Sequence, residues 1–287
     1  MATLNEKALR SLVGLLDDED PRSLDLVKNH ILNVGEPIIP FLEELRAKSG
    51  AEIAAKADAI TRELRFMDLN DKFSALAKVI DPDLEKGVLL LARFGYPGID
   101  TRIYSNWLDQ VAAKIESDLP QKSTETVVFQ RLNSYLFQAL GFVGNEARYY
   151  DPDNSYLNRV IDSRRGIPVS LSVIYLLLAK RLRLPAHGVA TPGHFLVSFR
   201  TGSRSCFVDA YHRGRLMDLS DIRRMLLRSG YEFRPEFLSR STSRDIIVRM
   251  MRNLISIYEK MSCPDRAEML SSLVEVMLTR GRPPSAK

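Results

Sequence analysis

Apolar residues recur at helical spacing through the N-terminal part of the chain. Leu9, Leu12, Val13 and Leu16 form one stripe, and a second stripe runs over residues 24–32. Gly35 stands where a glycine commonly ends a helix, and Pro37 prevents simple continuation. A third helix is predicted from about Ile38, and the Ala/Glu/Arg-rich run over residues 51–65 would supply a packing partner.

The helical pattern continues into the middle of the chain. Residues 82–119 predict two helices with a Gly/Pro turn at residues 95–98, and residues 133–140 continue the pattern. Residues 141–155 are rich in Gly, Asn, Asp and Pro and indicate an ordered loop. A nearly all-apolar, and therefore buried, helix is predicted to begin at Pro168 and to end before Pro185.

Short extended segments follow that helix, over residues 187–190, 194–199 and 206–210. The last two predict a β-hairpin whose loop lies near residues 201–202. In that register His194 and Asp209 lie opposite each other to within a residue or two, close enough for an imidazole–carboxylate contact. From Ser243 the sequence predicts a helical hairpin with its turn at residues 262–264, and the tail over residues 281–287 is expected to be disordered.

Composition narrows the class of protein. The 287 residues are 45% hydrophobic, which is ample for a buried core, so general disorder is excluded. The two cysteines, Cys206 and Cys263, form neither a disulfide framework nor a zinc-binding motif. We see no apolar run long enough for a membrane span and no secretory-signal layout, so a cytoplasmic protein without membrane contact is expected.

The net charge of +5 is unevenly distributed. The segment that begins at Arg200 contains 17 Lys or Arg against 10 Asp or Glu, and nearly all of its cations are arginines. Arginine binds carboxylates and phosphates bidentately, so this segment raises nucleic-acid binding as a hypothesis. A solvated helical surface is the favoured interpretation, because no nucleic-acid-binding motif accompanies the charge.

His194 and Asp209, on adjacent strands beside the start of a buried helix, would be two of the three residues of a nucleophile–His–Asp triad. The helix start would carry the third group, since the helix dipole and free N–H groups there stabilise a thiolate or an oxyanion.

Residues 132–216, and more loosely 84–218, resemble the SirB1 family of the transglutaminase-like superfamily. The matching motifs are YYDPDNSYLNRV, RRGIPVSLSVIYLLLAKRL, PGHFLV and VDAYHRGRLM, with LF and LGF before them. The resemblance implies a papain-like core in which a helix packs on a small antiparallel sheet. It also implies a bacterial regulatory or accessory role, and a TPR-like helical segment after the core, to which residues 243–280 would correspond. Residues 1–67 resemble a HEAT-type helical repeat.

Carried over residue by residue, the resemblance places His194 on the superfamily's triad histidine and Asp209 on its aspartate. The superfamily cysteine falls on Pro168, counted either from Gly166 or back from Pro185, and proline has no nucleophile. The nearest substitute is Ser170. Cys206 lies three residues from Asp209 on the same strand, so its side chain is expected on the opposite face.

Other residues near this helix are candidate binding residues. Asn154 and Ser155 either line a cleft with His194 or form a turn that closes the loop, and Arg164 and Arg165 either bind an anion or are solvated. His187 and His212 show no carboxylate or histidine partner at metal-ligand spacing, so we expect no metal site and no cofactor.

The sequence therefore predicts a mostly helical α+β protein, with a transglutaminase-like core at 68–242 between helical segments at 1–67 and 243–280. The favoured function is non-catalytic: a binding or regulatory module that acts on a protein partner. The alternatives are a hydrolase or acyltransferase that uses Ser170, His194 and Asp209 on an amide or ester, and nucleic-acid binding through the arginine-rich C-terminal third.

Overall fold

A computed structural model describes residues 5–18, 20–202 and 204–279. The chain divides into two compact units, Met1–Lys72 and Phe73–Lys287. The sequence-predicted boundary between residues 67 and 68 falls inside a helix that runs unbroken from Ala51 to Ala77, so no linker separates the two segments there. The tail predicted to be disordered lies outside the described residues.

The first unit is built from helices α1 (Glu6–Gly14), α2 (Pro21–Val34) and α3 (Ile39–Lys48) and the first part of α4 (Ala51–Ala77). The side chains of Asn5 and Asp20 accept hydrogen bonds from backbone N–H groups in the first turns of α1 and α2. The apolar stripes predicted from the sequence meet in one core that contains Leu9, Val13, Val27, Ile31, Ile38, Leu42, Ala57, Ile60 and Leu64.

The second unit has a larger set of helices. They are α5 (Leu84–Gly95), α6 (Thr101–Ser117), α7 (Glu125–Ser134), α8 (Leu157–Ser163), α9 (Pro168–Arg181), α10 (Leu219–Arg228), α11 (Ser243–Lys260) and α12 (Pro264–Thr279). The predicted helix over residues 133–140 differs: α7 ends at Ser134, and residues 135–139 form a wider turn in which the Leu140 N–H donates to the Tyr135 carbonyl at 2.9 Å.

A five-stranded antiparallel sheet, in the order β6-β5-β4-β3-β7, carries the two candidate triad residues. Its strands are β3 (Ala186–Thr191), β4 (His194–Thr201), β5 (Arg204–Asp209), β6 (Arg215–Met217) and β7 (Arg240–Ser241). The three predicted strands are confirmed, and the two edge strands β6 and β7 are additional. Their two or three residues are too few to show an alternating pattern. Two further short strands, β1 (Val143–Gly144) and β2 (Arg165–Gly166), pair in parallel.

Helix α9 is the centre of this unit. Every residue from Pro168 to Ala179 is buried, as its nearly all-apolar sequence predicts. One face of the sheet, which includes Val189, Leu196 and Phe207, packs against Ile222 and Leu226 of α10. On the other face Phe199 stacks on Phe129 of α7 at 3.9 Å between ring centroids. Because helices pack on both faces of the sheet, the ends of its strands are held in fixed positions.

Among the described helices, none combines the length and the apolar character that crossing a bilayer requires.

Candidate functional site

The predicted contact between His194 and Asp209 is present. Val197 of β4 pairs with Val208 of β5, so His194 at the start of β4 and Asp209 at the end of β5 lie at the same end of the hairpin. His194 Nε2 is 2.9 Å from Asp209 Oδ1, with side-chain exposures of 12% and 4%. The two atoms are in close contact, but the ring nitrogen is not aligned for a hydrogen bond to any described acceptor.

His212 is a third member of the site, which the sequence did not predict. Its Nδ1 lies 2.7 Å from Asp209 Oδ2, and its backbone N–H donates to Asp209 Oδ1 at 3.2 Å. The expectation that His212 lacks a carboxylate partner is therefore wrong. The chain turns back immediately after β5, and this turn brings a residue three positions along the chain onto the carboxylate.

Asp209 is ionised under ordinary conditions. Burial alone would raise the pKa of its carboxyl, but contacts with His194 and His212 reverse that effect and hold the pKa below its ordinary value. A buried carboxylate flanked by two imidazoles, one on each oxygen, orients both rings.

Aromatic rings form one wall beside this pair. Tyr211 lies edge-on to His194, with ring centroids 6.2 Å apart, and to Tyr149 at 6.0 Å. Tyr149 in turn contacts Tyr150, which is 58% exposed and has the Lys260 ammonium 3.7 Å from its ring centroid. We call Tyr149, Tyr150 and Tyr211 the tyrosine cluster. Burial raises the pKa of the Tyr149 and Tyr211 hydroxyls, so both are neutral donors at physiological pH.

The residue that the sequence resemblance places at the nucleophile position, Pro168, carries no reactive group. Pro168 is the first residue of α9 and is buried. Ser170 is fully buried, and its hydroxyl donates to the Asn154 carbonyl at 2.6 Å while it accepts the Ile167 N–H at 3.1 Å. Ser170 therefore closes the N-terminus of α9, and the structure shows no hydrogen bond between it and His194 among the described residues.

The two predicted binding residues of the loop are buried rather than presented to solvent. The Asn154 amide donates to the carbonyls of Arg148 and Tyr149, and its Oδ1 accepts from Asn145 at 2.8 Å. Ser155 is completely buried. These contacts fit the turn-forming interpretation of the loop, and they hold Tyr149 and Tyr150 beside the site.

The two arginines of the predicted pair, Arg164 and Arg165, have different surroundings. The Arg164 guanidinium lies over the rings of Trp107 and Phe142, at 4.9 Å from each centroid, and donates to the Ile161 carbonyl. Burial lowers its pKa, and its backbone adopts a left-handed conformation at the end of α8. Arg164 is thus part of the packing, whereas Arg165 is exposed on β2.

Arg249 of α11 binds the backbone next to the site, a role that the sequence did not predict. Its guanidinium donates to the His194 carbonyl at 3.0 Å and the Thr191 carbonyl at 3.3 Å, the two ends of the turn between β3 and β4. Arg249 therefore holds the backbone of His194 in place. An arginine on the apolar side of a helix, as in IIVRMMRNL, is the one sequence signal that marks it.

Comparison with known proteins places the chain in a class. A family profile described as "Transglutaminase-like superfamily" matches residues 103–252, which include the whole site, and the chain belongs to that superfamily. Within it the chain belongs to the UPF0162 family. It is 36% identical over 203 residues to the UPF0162 protein of Xylella fastidiosa strain 9a5c, a match that covers 68% of this chain and 72% of the relative.

More distant relatives include a UPF0162 protein of Pseudomonas aeruginosa, 27% identical over 180 residues, which is 62% of this chain and 65% of that protein. Human F-box only protein 21 is 25% identical over 162 residues, which are 54% of this chain and 25% of that much longer protein.

Proposed function

We propose that this protein is a non-catalytic, transglutaminase-like binding module of the SirB1 type, and that the tyrosine cluster beside His194 and Asp209 receives a protein partner. The observation that carries the proposal is the start of α9. The superfamily's nucleophile position is a buried proline, and the nearby hydroxyl of Ser170 is committed to the Asn154 carbonyl. An acyl-transfer mechanism needs an accessible nucleophile within hydrogen-bond reach of its base.

The exposed tyrosines support a binding role. Tyr150 and Tyr149 are 58% and 37% exposed, and they stand together on a loop fixed by the buried Asn154. Tyrosine is enriched at protein interfaces because its rigid ring buries a large area and its hydroxyl keeps a polar partner. The Lys260 ammonium over Tyr150 gives this surface a positive charge, which favours a partner segment with an acidic side chain. Arg148, nearby in the chain, lies 3.8 Å from the Asp151 carboxylate and is already paired.

The match to one quarter of F-box only protein 21 is consistent with a module that works as one part of a larger protein. In the chain described here, the HEAT-like segment and the TPR-like hairpin α11–α12 would add further protein-binding surface.

The proposal is tested by site-directed photo-crosslinking in cells. A photoreactive phenylalanine replaces Tyr150 in one protein and Tyr231, which is 45% exposed and lies after α10, in a control. We expect a discrete crosslinked protein from position 150 and none from position 231. That protein, once purified, should bind the native chain and bind a Tyr150→Ala variant at least about tenfold more weakly, as for an interface anchor. Equal crosslinking at both positions would contradict the proposal.

The hydrolase alternative is tested separately. Intact-mass analysis after treatment with serine-reactive and acyl-donor probes should show no adduct on the folded protein. An adduct that disappears in Ser170→Ala would instead establish the Ser170, His194 and Asp209 mechanism and overturn the non-catalytic assignment.

A further inference from the structure

His194, Asp209 and His212 form the one group of three metal-ligand side chains that the described part of the chain brings together. One ligand atom from each residue lies within 4.8 Å of the other two. Two imidazole nitrogens and a carboxylate oxygen are the donor set that Zn²⁺ and related divalent transition ions prefer. A triad remnant requires only His194 and Asp209, so it leaves the position of His212 unexplained.

Hydrogen bonds fix the backbone of the turn that carries His212, although the His212 side chain is exposed. The turn after β5 is closed by the Gly214 N–H, which donates to the Asp209 carbonyl at 2.9 Å, and by the Arg215 N–H, which donates to the His212 carbonyl at 3.2 Å. Asn133 of α7 donates to the Gly214 carbonyl at 3.0 Å. Gly214 itself is fixed, because its φ of 70° favours glycine and an added Cβ would lie 2.1 Å from the Phe137 ring.

The other two ligands are equally supported. Asp209 is 4% exposed, with its Oδ1 held by the His212 backbone N–H, and the His194 backbone is held by Arg249. Such outer contacts orient metal ligands and are a common part of metal sites. The burial is graded, from 4% at Asp209 through 12% at His194 to 55% at His212, so one side of the group is open to solvent.

We propose that His194 Nε2, His212 Nδ1 and one carboxylate oxygen of Asp209 bind a single divalent transition ion of the Zn²⁺ type, with water in its remaining position. Each imidazole would bind the ion as the neutral tautomer that carries its proton on the other ring nitrogen, Nδ1 of His194 and Nε2 of His212, and only a doubly protonated ring would release a proton to solvent. Metal–ligand bonds would replace the present nitrogen–oxygen contacts. The ion would join the start of β4, the end of β5 and the following turn. This inference is independent of the proposed partner binding.

The test uses the full-length chain after treatment with a chelator. Calorimetric titration with Zn²⁺ should show one saturable site, and the melting temperature should rise with Zn²⁺ concentration because the ion binds the folded state. The His212→Asn variant, chosen because His212 is exposed and its loss spares the core, should weaken binding by at least about tenfold. The matched control His187→Asn, a half-buried histidine on β3, should bind as the native chain does.

Titration with Co²⁺ identifies the ligands. We expect the visible absorption bands of Co²⁺ bound by nitrogen and oxygen ligands, with no charge-transfer band from a thiolate. These bands should be lost in His212→Asn. Absence of saturable binding, unchanged binding in a folded His212→Asn protein, or a thiolate band that Cys206→Ser or Cys263→Ser removes would each overturn the proposal. A circular-dichroism spectrum of each variant establishes that it is folded.

Discussion

At the scale of single residues, Ser170 illustrates how a candidate nucleophile becomes a structural group. Its hydroxyl joins the 141–155 loop to the first turn of α9 through the Asn154 carbonyl, and it accepts the N–H of Ile167. Space around it is also full, since a Cβ on Gly166 would lie 2.7 Å from its Oγ. A hydroxyl in this position stabilises the folded chain, and among the residues that the structure describes it has no hydrogen bond to a base that could take its proton and make its oxygen a nucleophile.

We therefore predict that Ser170→Ala lowers the free energy of unfolding by about 1–3 kcal/mol, because the buried Asn154 carbonyl and the buried Ile167 N–H each lose a hydrogen bond and keep only their long contact with each other at 3.4 Å. Ser172→Ala is the matched control on the same helix. Ser172 is equally buried, but its hydroxyl has only a long contact of 3.5 Å with the Phe195 carbonyl, so a smaller loss is expected. Urea denaturation of the three proteins measures the difference. Equal losses would mean that the Asn154 contact contributes little.

His212 shows what residue patterns in the sequence do not predict. The His194–Asp209 contact follows from strand alternation and the hairpin loop, and the structure confirms it. The position of His212 depends instead on a turn in which Arg213 and Gly214 both have positive φ. The spacing of apolar residues along the chain does not predict such a conformation. The sequence predicts a loop at Asn154 and Ser155, but not their burial, which depends on tertiary contacts such as the hydrogen bond from the Ser170 hydroxyl of α9 to the Asn154 carbonyl.

At the scale of secondary-structure elements, the strongest sequence signal was the apolar run of α9. It was predicted from Pro168 to before Pro185, and it spans Pro168–Arg181. The helices α5 and α6 and the strands β3, β4 and β5 were also predicted from the sequence. The short strands β6 and β7 were not, since they exist only because a neighbouring strand pairs with them.

Helix α9 should therefore dominate the stability of the second unit. We expect Leu171→Ala or Ile174→Ala to lower the free energy of unfolding by about 2–5 kcal/mol, because both side chains are fully buried and leave a cavity. Leu227→Ala on α10 is the control, since Leu227 is 74% exposed and its truncation should change stability by less than about 0.5 kcal/mol. A loss below that value at Leu171 would mean that α9 is not the centre of the core.

Helix α5 offers a prediction on pH. Asp83 caps it by accepting the Lys86 N–H at 2.8 Å, and it also lies 2.9 Å from the Lys180 ammonium. Burial raises the pKa of Asp83, but these two contacts outweigh burial, so the pKa lies below its ordinary value. A carboxyl with a lowered folded-state pKa stabilises the protein above its unfolded pKa of about 3.9, and this stabilisation is lost as the pH falls through the folded value.

Asp83→Ala should accordingly cost about 0.5–2 kcal/mol at neutral pH, as expected for the loss of an N-cap. Asp83→Asn keeps an amide oxygen that caps the helix and loses only the half-exposed ion pair, so it should cost less. The difference between the native chain and Asp83→Asn should shrink as the pH is lowered below about 4. A difference that grows on acidification would contradict the assigned direction of the pKa shift.

At the scale of the whole molecule, part of the arginine excess after residue 200 is bound within the fold. The Arg244 guanidinium donates to the Ala77 and Val79 carbonyls, and Arg266 donates to the Tyr258 hydroxyl. Arg249 holds the turn before β4, and Arg224 pairs with Asp221 of α10. Arginines that are already bound to backbone carbonyls and carboxylates are not arrayed for a phosphate backbone, whereas the sequence predicted a solvated helical surface for this charge.

This distribution leads to a prediction on nucleic acids. Fluorescence anisotropy with labelled single-stranded and duplex oligonucleotides should show at most weak association at low salt, and that association should vanish at physiological salt, because a protein that neutralises few phosphates has little affinity to retain. Arg228→Ala on α10 should leave this weak signal nearly unchanged. Tight binding that persists at physiological salt, with a steep dependence of affinity on salt, would show instead that a set of arginines acts together on phosphates. The nucleic-acid hypothesis would then replace protein binding as the function of the C-terminal third.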